Sequence, residues 1–274
     1  MAAVEIPGGV ASVFSHFQRG SSEAWVRKGF EDLLLPDGER YVERMLPRLL
    51  SAAREVRYLR GRGTTVSFPL PGLSHRVVVR HYYHGGWLRH VTGDLFWSRP
   101  TRPLAELVVS EEARAQGVST PQVIAAVTRW VTPVLYRGDL ITEEVPAAVD
   151  PLAFFESEPD ALTRRRALVA LAAGIRKMHE CQLFHQDLNV RNLLLSGGRA
   201  HILDLDGAQF FEILGSKRIK ANLLRLSRSI RKEQMRLSDR EILYFLYSYY
   251  GEDFRDVYSE EYSGEYLCQK SPAD

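Results

Sequence analysis

Cysteine is nearly missing from this 274-residue chain, which has two, Cys181 and Cys268. Two thiols so far apart make neither a disulfide framework nor the close spacing of a zinc site, and they suit a reducing compartment. Long apolar runs are missing as well. No stretch approaches the ~20 residues that span a bilayer. The N-terminus also lacks the basic-then-apolar order of a signal peptide. A surplus of one charge is the third absence. With 36 Lys and Arg against 34 Asp and Glu, the net charge of +2 gives no argument for nucleic-acid binding. There is no internal repeat and no low-complexity tract. What is left is a globular composition, 45% hydrophobic and 26% charged, long enough for one large domain or two small lobes.

The patterning changes along the chain. Residues 21–55 carry helical spacing, as in Tyr41, Met45, Leu46, Leu49 and Leu50. From there the period is that of strands: Val56–Leu59 and Thr64–Phe68 around Gly61-Arg62-Gly63, then Val77–Tyr83, which Gly85-Gly86 ends. A helix is predicted over 102–116, stopped by Gly117. Pro121 opens a further strand region with Ala125–Leu135 and Leu140–Val145. Beyond it, 161–181, 217–235 and 238–250 read as helices. A β-rich first half (1–146, with a helical N-terminal extension) and a helical second half (147–274) predict an α+β chain of two lobes, joined near Glu143–Val149.

One stretch carries chemistry. His185-Gln186-Asp187-Leu188-Asn189-Val190-Arg191-Asn192 precedes two apolar runs joined by Ser196-Gly197-Gly198, the second ending Ile202-Leu203-Asp204-Leu205-Asp206-Gly207. Apolar runs around a glycine turn predict a hairpin. That hairpin is expected to bring Asn192 at its entrance beside Asp204 at its exit, with Asp187 on the loop feeding it. Phosphoryl transfer needs such a kit: a carboxylate to align the acceptor hydroxyl, and oxygen ligands for Mg²⁺ on the nucleotide phosphates. The order resembles the catalytic loop and metal aspartate of the protein-kinase-like fold. Asp187 is then the expected catalytic base, and Asn192 and Asp204 the expected metal ligands, with Asp206 as fallback.

The nucleotide side follows from the first half. By itself the Gly61-Arg62-Gly63 turn reads as an ordinary tight hairpin; its position before a strand carrying a cation supports reading Gly61 and Gly63 as a glycine-rich turn suited to lie over phosphates. Alternation places Val78, Arg80 and Tyr82 on one face of the third strand, so that Val78 meets the adenine and Arg80 the phosphates. A protein kinase carries lysine there; arginine keeps the charge and adds a planar fork. Glu106 on the following helix is the expected anion for Arg80, while Glu111 and Glu112 are expected in solvent. Backbone groups of Glu143, Glu144 and Val145 are the expected adenine contacts.

With those residues in place, the chain resembles the bacterial lipopolysaccharide kinases, most closely the branch acting on 3-deoxy-D-manno-octulosonic acid (Kdo). The resemblance runs over about residues 56–235. Its discriminating pieces are Arg80-His81-Tyr82-Tyr83-His84-Gly85-Gly86 and Asn222-Leu223-Leu224-Arg225-Leu226-Ser227-Arg228-Ser229-Ile230-Arg231-Lys232. In that family arginine is the expected residue at position 80, and Leu205 stands where phenylalanine is usual. Residues 1–55 add nothing to it. The resemblance implies ATP and Mg²⁺ as cofactors, and phosphorylation of a Kdo hydroxyl, normally the 4-hydroxyl, on a Kdo-bearing lipid A precursor. It implies a peripheral enzyme on the cytoplasmic face of the bacterial inner membrane; no nucleic-acid partner is expected from the charge, and no protein partner is implied.

The basic segment fits that setting. Arg225, Arg228 and Lys232 recur on one helical face, preceded by Lys217, Arg218 and Lys220, while Leu223, Leu226 and Ile230 form the apolar stripe. Such a face is either solvated or holds sugar carboxylates, lipid phosphates or an anionic leaflet. Other readings are a heptose kinase of the inner core, a small-molecule kinase of the aminoglycoside or choline type, a protein kinase, and an inactive kinase-like scaffold. The protein kinase lacks support because no Ala-Pro-Glu segment follows Asp204. The scaffold lacks support because Asp187, Asn192 and Asp204 are all present.

Overall fold

The computed structural model describes residues 8–36, 42–59, 65–70, 72–84 and 93–253. Tyr41, Gly61, Arg62, Gly63, Gly85, Gly86 and Cys268 lie outside them. The chain forms two compact units, Met1–Pro146 with Leu203–Phe210, and Ala147–Ile202 with Phe211–Asp274. The Asp204–Asp206 segment therefore belongs to the first unit.

The first unit holds α1 (Gly8–Val13), β1 (Phe14–Arg19), β2 (Ser22–Arg27), α2 (Glu31–Leu34), α3 (Met45–Ala52), β3 (Arg57–Leu59), β4 (Thr65–Pro69), β5 (Arg76–His81), α4 (Arg102–Ala115), β6 (Val123–Trp130) and β7 (Tyr136–Glu143). Its seven strands make one antiparallel sheet in the order β1-β2-β6-β7-β5-β4-β3. Alternation divides the residues between two apolar layers. Val77 and Val79 of β5 join Phe68, Ile141 and Val127 under Leu34, Met45, Leu46 and Leu49. On the opposite face Tyr82, Leu140 and Ala126 pack with Leu107 of α4 and Phe14. Pro103 near the start of α4 suits the first turn, where its missing N–H is not needed.

The N-terminal extension corrects the helical reading. Among its described residues α3 follows the expected Met45–Leu50 stripe, but β1 and β2 form a hairpin about Gly20 instead of a helix, and β2 pairs β6. The signal is in the sequence, because Ser22, Ala24 and Val26 are buried in strict alternation.

The second unit contains α5 (Pro151–Glu156), α6 (Ala161–Glu180), β8 (Leu183–Phe184), β9 (Leu193–Ser196), β10 (Arg199–Ile202), α7 (Gly215–Lys232) and α8 (Asp239–Tyr250). The side chains of Asp150 and Asp160 cap α5 and α6 by accepting backbone N–H groups, and Ser238 with Glu241 forms a capping box on α8. The expected hairpin is present: β9 pairs β10 from Leu193↔Ile202 to Ser196↔Arg199, closed by Gly197 and Gly198 at positive φ. Gly174 lets α6 approach it closely, since a Cβ there would lie 3.0 Å from the Cβ of Ala200.

Candidate active site

Arg80 is the hub of the first unit's polar cluster. As β5 runs toward Tyr82 it presents Arg80 to α4, where Glu106 is 4% exposed. One arm of the guanidinium, Nη2, donates to Glu106 and to the Tyr82 hydroxyl (3.2 Å), and the other, Nη1, donates to Asp204. The Tyr82 hydroxyl also donates to Glu106, and the guanidinium lies 4.7 Å from the Tyr82 ring centroid. Burial works against the arginine's charge, but Glu106, Tyr82 and Asp204 outweigh it and hold its pKa well above normal. Burial raises Glu106 to about 7, with Asp204 and Asp206 pushing the same way and Arg80 opposing.

The two aspartates after the hairpin have separate surroundings. Both oxygens of Asp206 are bound by Arg102 at the start of α4, Oδ1 at 3.1 Å from Nε and Oδ2 by Nη2. Asp204 is 40% exposed and sits at φ 56°, a left-handed conformation that aspartate tolerates better than most residues and that clusters at functional sites. The more accessible carboxylate is thus Asp204, the residue expected to bind metal. Among the described residues no three His, Cys, Asp or Glu side chains are grouped to hold an ion. A magnesium ion that takes most of its oxygens from phosphate and water, and few from protein, is compatible with that.

Other first-unit residues fall as follows. Val78 is partly buried on the Arg80 side of β5. The backbone N–H groups of Glu143 and Glu144 donate to the carbonyls of Gln122 and Arg76, so neither is a donor for adenine. Glu111, expected in solvent, instead forms an ion pair with Arg27. Glu112 is exposed as expected.

In the second unit the catalytic loop is held from both sides. Within it, the Asp187 N–H donates to Nδ1 of His185 (3.1 Å), and the carboxamides of Asn189 (3.0 Å) and Asn192 (2.9 Å) both donate to the Asp187 carbonyl. Asn192 ends a 3₁₀ turn, Val190–Asn192, that the Asn189 side chain caps. From outside, α7 and Glu233, the residue that follows it, grip the loop at three places. Asn222 Nδ2 donates to the His185 carbonyl (2.6 Å) while its Oδ1 accepts from the His185 N–H (3.3 Å). Ser229 Oγ accepts from the Val190 N–H (2.9 Å), and Glu233 pairs with Arg191.

Asn222 and His185 are wholly buried, and a third helix completes their network. His179 of α6 meets Asn222 Oδ1 through Nε2 (3.1 Å) and the Tyr249 hydroxyl of α8 through Nδ1 (2.6 Å). Asn222 Oδ1 can only accept, so Nε2 of His179 carries the proton and Nδ1 accepts from Tyr249. Burial lowers the His179 pKa to about 4, so the ring is neutral near pH 7. Sequence reasoning quoted Asn222 and Ser229 only as part of a signature and missed His179 and Tyr249. The signal for Asn222 was a carboxamide on the face of a helix shared with Leu226 and Ser229. The buried residues of α7 are Asn222 and Leu226, with Leu223 and Ile230 only partly covered, which shifts the expected stripe. On the basic face Arg228 and Lys232 are exposed, whereas Arg225 is partly buried.

The first unit thus holds a cation shared by two carboxylates, and the second a helix-anchored loop bearing an aspartate and an asparagine, the groups that the sequence led one to expect of a kinase-like phosphotransferase. The comparisons agree. A chain in the solved structure of WaaP in complex with acyl carrier protein superposes with a TM-score of 0.59, covering 87% of this chain and 92% of that one at 18% identity. At that identity the likeness carries the fold, which is α+β and protein-kinase-like. The model of the lipopolysaccharide kinase (Kdo/WaaP) family matches residues 50–249, and the chain belongs to that family. Among its relatives, 3-deoxy-D-manno-octulosonic acid kinase of Vibrio cholerae serotype O1 is 34% identical over 63% of this chain and 72% of its own length. The enzyme of the same name from Haemophilus influenzae is 29% identical over 58% and 68%. The protein is thus an ATP-dependent kinase acting on a sugar hydroxyl.

Proposed function

We propose that this kinase phosphorylates a Kdo hydroxyl, the 4-hydroxyl, on a Kdo-bearing lipid A precursor. The observation that carries the chemistry is Arg80, held by Glu106 and Asp204 in the way a phosphate-binding cation beside a metal carboxylate would be. The similarity to named Kdo kinases supports the acceptor.

In this reading Asp187 accepts the proton of the attacking hydroxyl and aligns its oxygen with the γ-phosphorus. Asn192, whose Nδ2 is committed to the Asp187 carbonyl, has Oδ1 to offer as a ligand together with Asp204. Magnesium, when bound with the nucleotide, neutralises phosphate charge. Arg80 turns toward the phosphates on nucleotide binding while Glu106 keeps its position. Val78 lies against the adenine, and the Glu143–Val145 segment supplies backbone contacts. There Val145 takes the donor role, because the amides of Glu143 and Glu144 are committed elsewhere.

No helix among the described residues is long and apolar enough to cross a membrane. A peripheral enzyme at the cytoplasmic face of the inner membrane suits a lipid-borne acceptor, and exposed Arg228 and Lys232 suit an anionic leaflet. The test is transfer of labelled phosphate from ATP to a Kdo-lipid A precursor, a heptosylated acceptor and free sugars, with the product located by NMR. Transfer to the Kdo acceptor at its 4-hydroxyl is expected. Preference for the heptosylated acceptor would replace this reading with that of a heptose kinase.

A further inference from the structure

We infer that Arg225 is the residue that selects the acceptor by binding its carboxylate, an inference that rests on the acceptor proposed above. Three observations lead to it. Nη1 of Arg225 is shut off from solvent and has no hydrogen-bond partner. The two other buried atoms in that condition, Arg27 Nη2 and Glu111 Oε1, are ion-paired to each other. Among the described residues, then, Arg225 alone has a buried polar side-chain atom with neither kind of partner. A buried donor left unmade costs its full desolvation, so such an atom calls for a partner, and the inference assigns it one.

The second observation is position. On a helix of 3.6 residues per turn, Arg225 comes three residues after Asn222 and four before Ser229. Those two hold the catalytic loop at His185 and Val190, on either side of Asp187 in sequence. Arg225 therefore lies on the flank of α7 that grips the loop, one turn from each anchor. Arg228 and Lys232 differ from it. Both are exposed, and Arg228 Nε already donates to the Leu224 carbonyl at 3.3 Å.

The third observation is chemical. An octulosonic acid differs from a neutral hexose or heptose by its carboxylate. A guanidinium held by packing, with a donor to spare, is the complement of that group. A neutral sugar would leave the donor unmade, so the same contact that recognises the acid rejects the neutral competitor.

The experiment compares a Kdo-lipid A precursor with its carboxyl methyl ester, using the full-length protein and measuring kcat/KM for each along with the KM for ATP. The parent is expected to prefer the acid by roughly 10- to 100-fold, the range of a charge-assisted hydrogen bond. In R225Q that preference should fall close to one, with the KM for ATP unchanged. R225K, which keeps the charge without the fork, should fall between them and carries the test if R225Q does not fold. An acid-to-ester ratio that stays at the parent's value in either variant, or a parent ratio of one, overturns the inference and leaves Arg225 a packed structural cation. If the parent transfers no phosphate to the Kdo acceptor, the acceptor reading fails and the inference fails with it.

Discussion

Around Arg80 in the first unit, the hydrogen bonds run between charged groups: one guanidinium serves Glu106 and Asp204, and a second, Arg102, serves Asp206. Around Asn222 in the second unit they run between neutral ones, from a tyrosine hydroxyl through an imidazole and a carboxamide to the loop backbone. Ion pairs keep their energy over a range of geometries and can be re-partnered by an incoming polyanion. A chain of directional neutral bonds is satisfied in one arrangement, so it fixes a backbone. The first cluster is built to exchange partners and the second to hold still. On the function proposed above, the first would serve as a phosphate clamp and the second as a catalytic loop.

That contrast breaks most visibly at Asp187. Asp187→Asn leaves both clusters in place, so ATP binding and thermal midpoint should hold while turnover falls by roughly two to four orders of magnitude. Turnover near that of the parent would remove Asp187 from the role of base.

The neutral cluster can be broken by charging it. His179 has a folded pKa of about 4 against 6.5 unfolded, so the unfolded chain binds the extra proton between those values. Its contribution is complete above pH 6.5 and is lost as pH falls toward about 4, up to about 3 kcal/mol. Denaturant melts should show the parent losing that much relative to His179→Gln, which cannot charge, across the same window. Parallel pH profiles for the two proteins would mean that the imidazole titrates alike folded and unfolded.

The charged cluster is sharpened by a double-mutant cycle. Arg80→Ala and Glu106→Ala should each lower the rate of transfer, and together they should lose less than the sum, with a coupling of about 1–2 kcal/mol. Strict additivity would mean that Glu106 does not hold Arg80 in the working enzyme. Glu111 is not a substitute, because it is paired with Arg27.

The smallest effect is expected on the surface of α7. Replacing Arg228 and Lys232 by Gln should weaken binding to anionic vesicles by roughly 1 kcal/mol per residue. Salt should imitate the change, and the KM for ATP should not move. Sedimentation with vesicles of mixed neutral and anionic lipid measures it. Equal binding by parent and double variant would make this face simply solvated.

Much of this was legible in the chain, and the misses have physical causes. Helices α4, α6, α7 and α8 fall where periodicity and caps put them, because a packed helix repeats one signal over many residues. The hairpin β1–β2 was missed although β2 alternates, since two short runs before a strong helical stretch carry few residues of evidence. The ion pair of Arg80 with Glu106 was readable from strand alternation and the helix that follows. Arginines hold both Asp204 and Asp206, so what separates the two carboxylates is exposure, 40% against 14%, and that depends on tertiary packing.

By itself the sequence determined the chemistry available: an aspartate, an asparagine and a second aspartate around a hairpin, and a strand arginine with a helix glutamate. Those assignments depend on local order, and local order is written in neighbouring residues. Tertiary structure alone decided that His179, Asn222 and Tyr249, from three different helices, would meet behind His185. It also decided that Arg225 and Arg228, near-identical in the sequence pattern, would stand one partly buried with a donor unmatched and the other exposed. Burial depends on what packs against a residue, and that partner can lie anywhere along the chain.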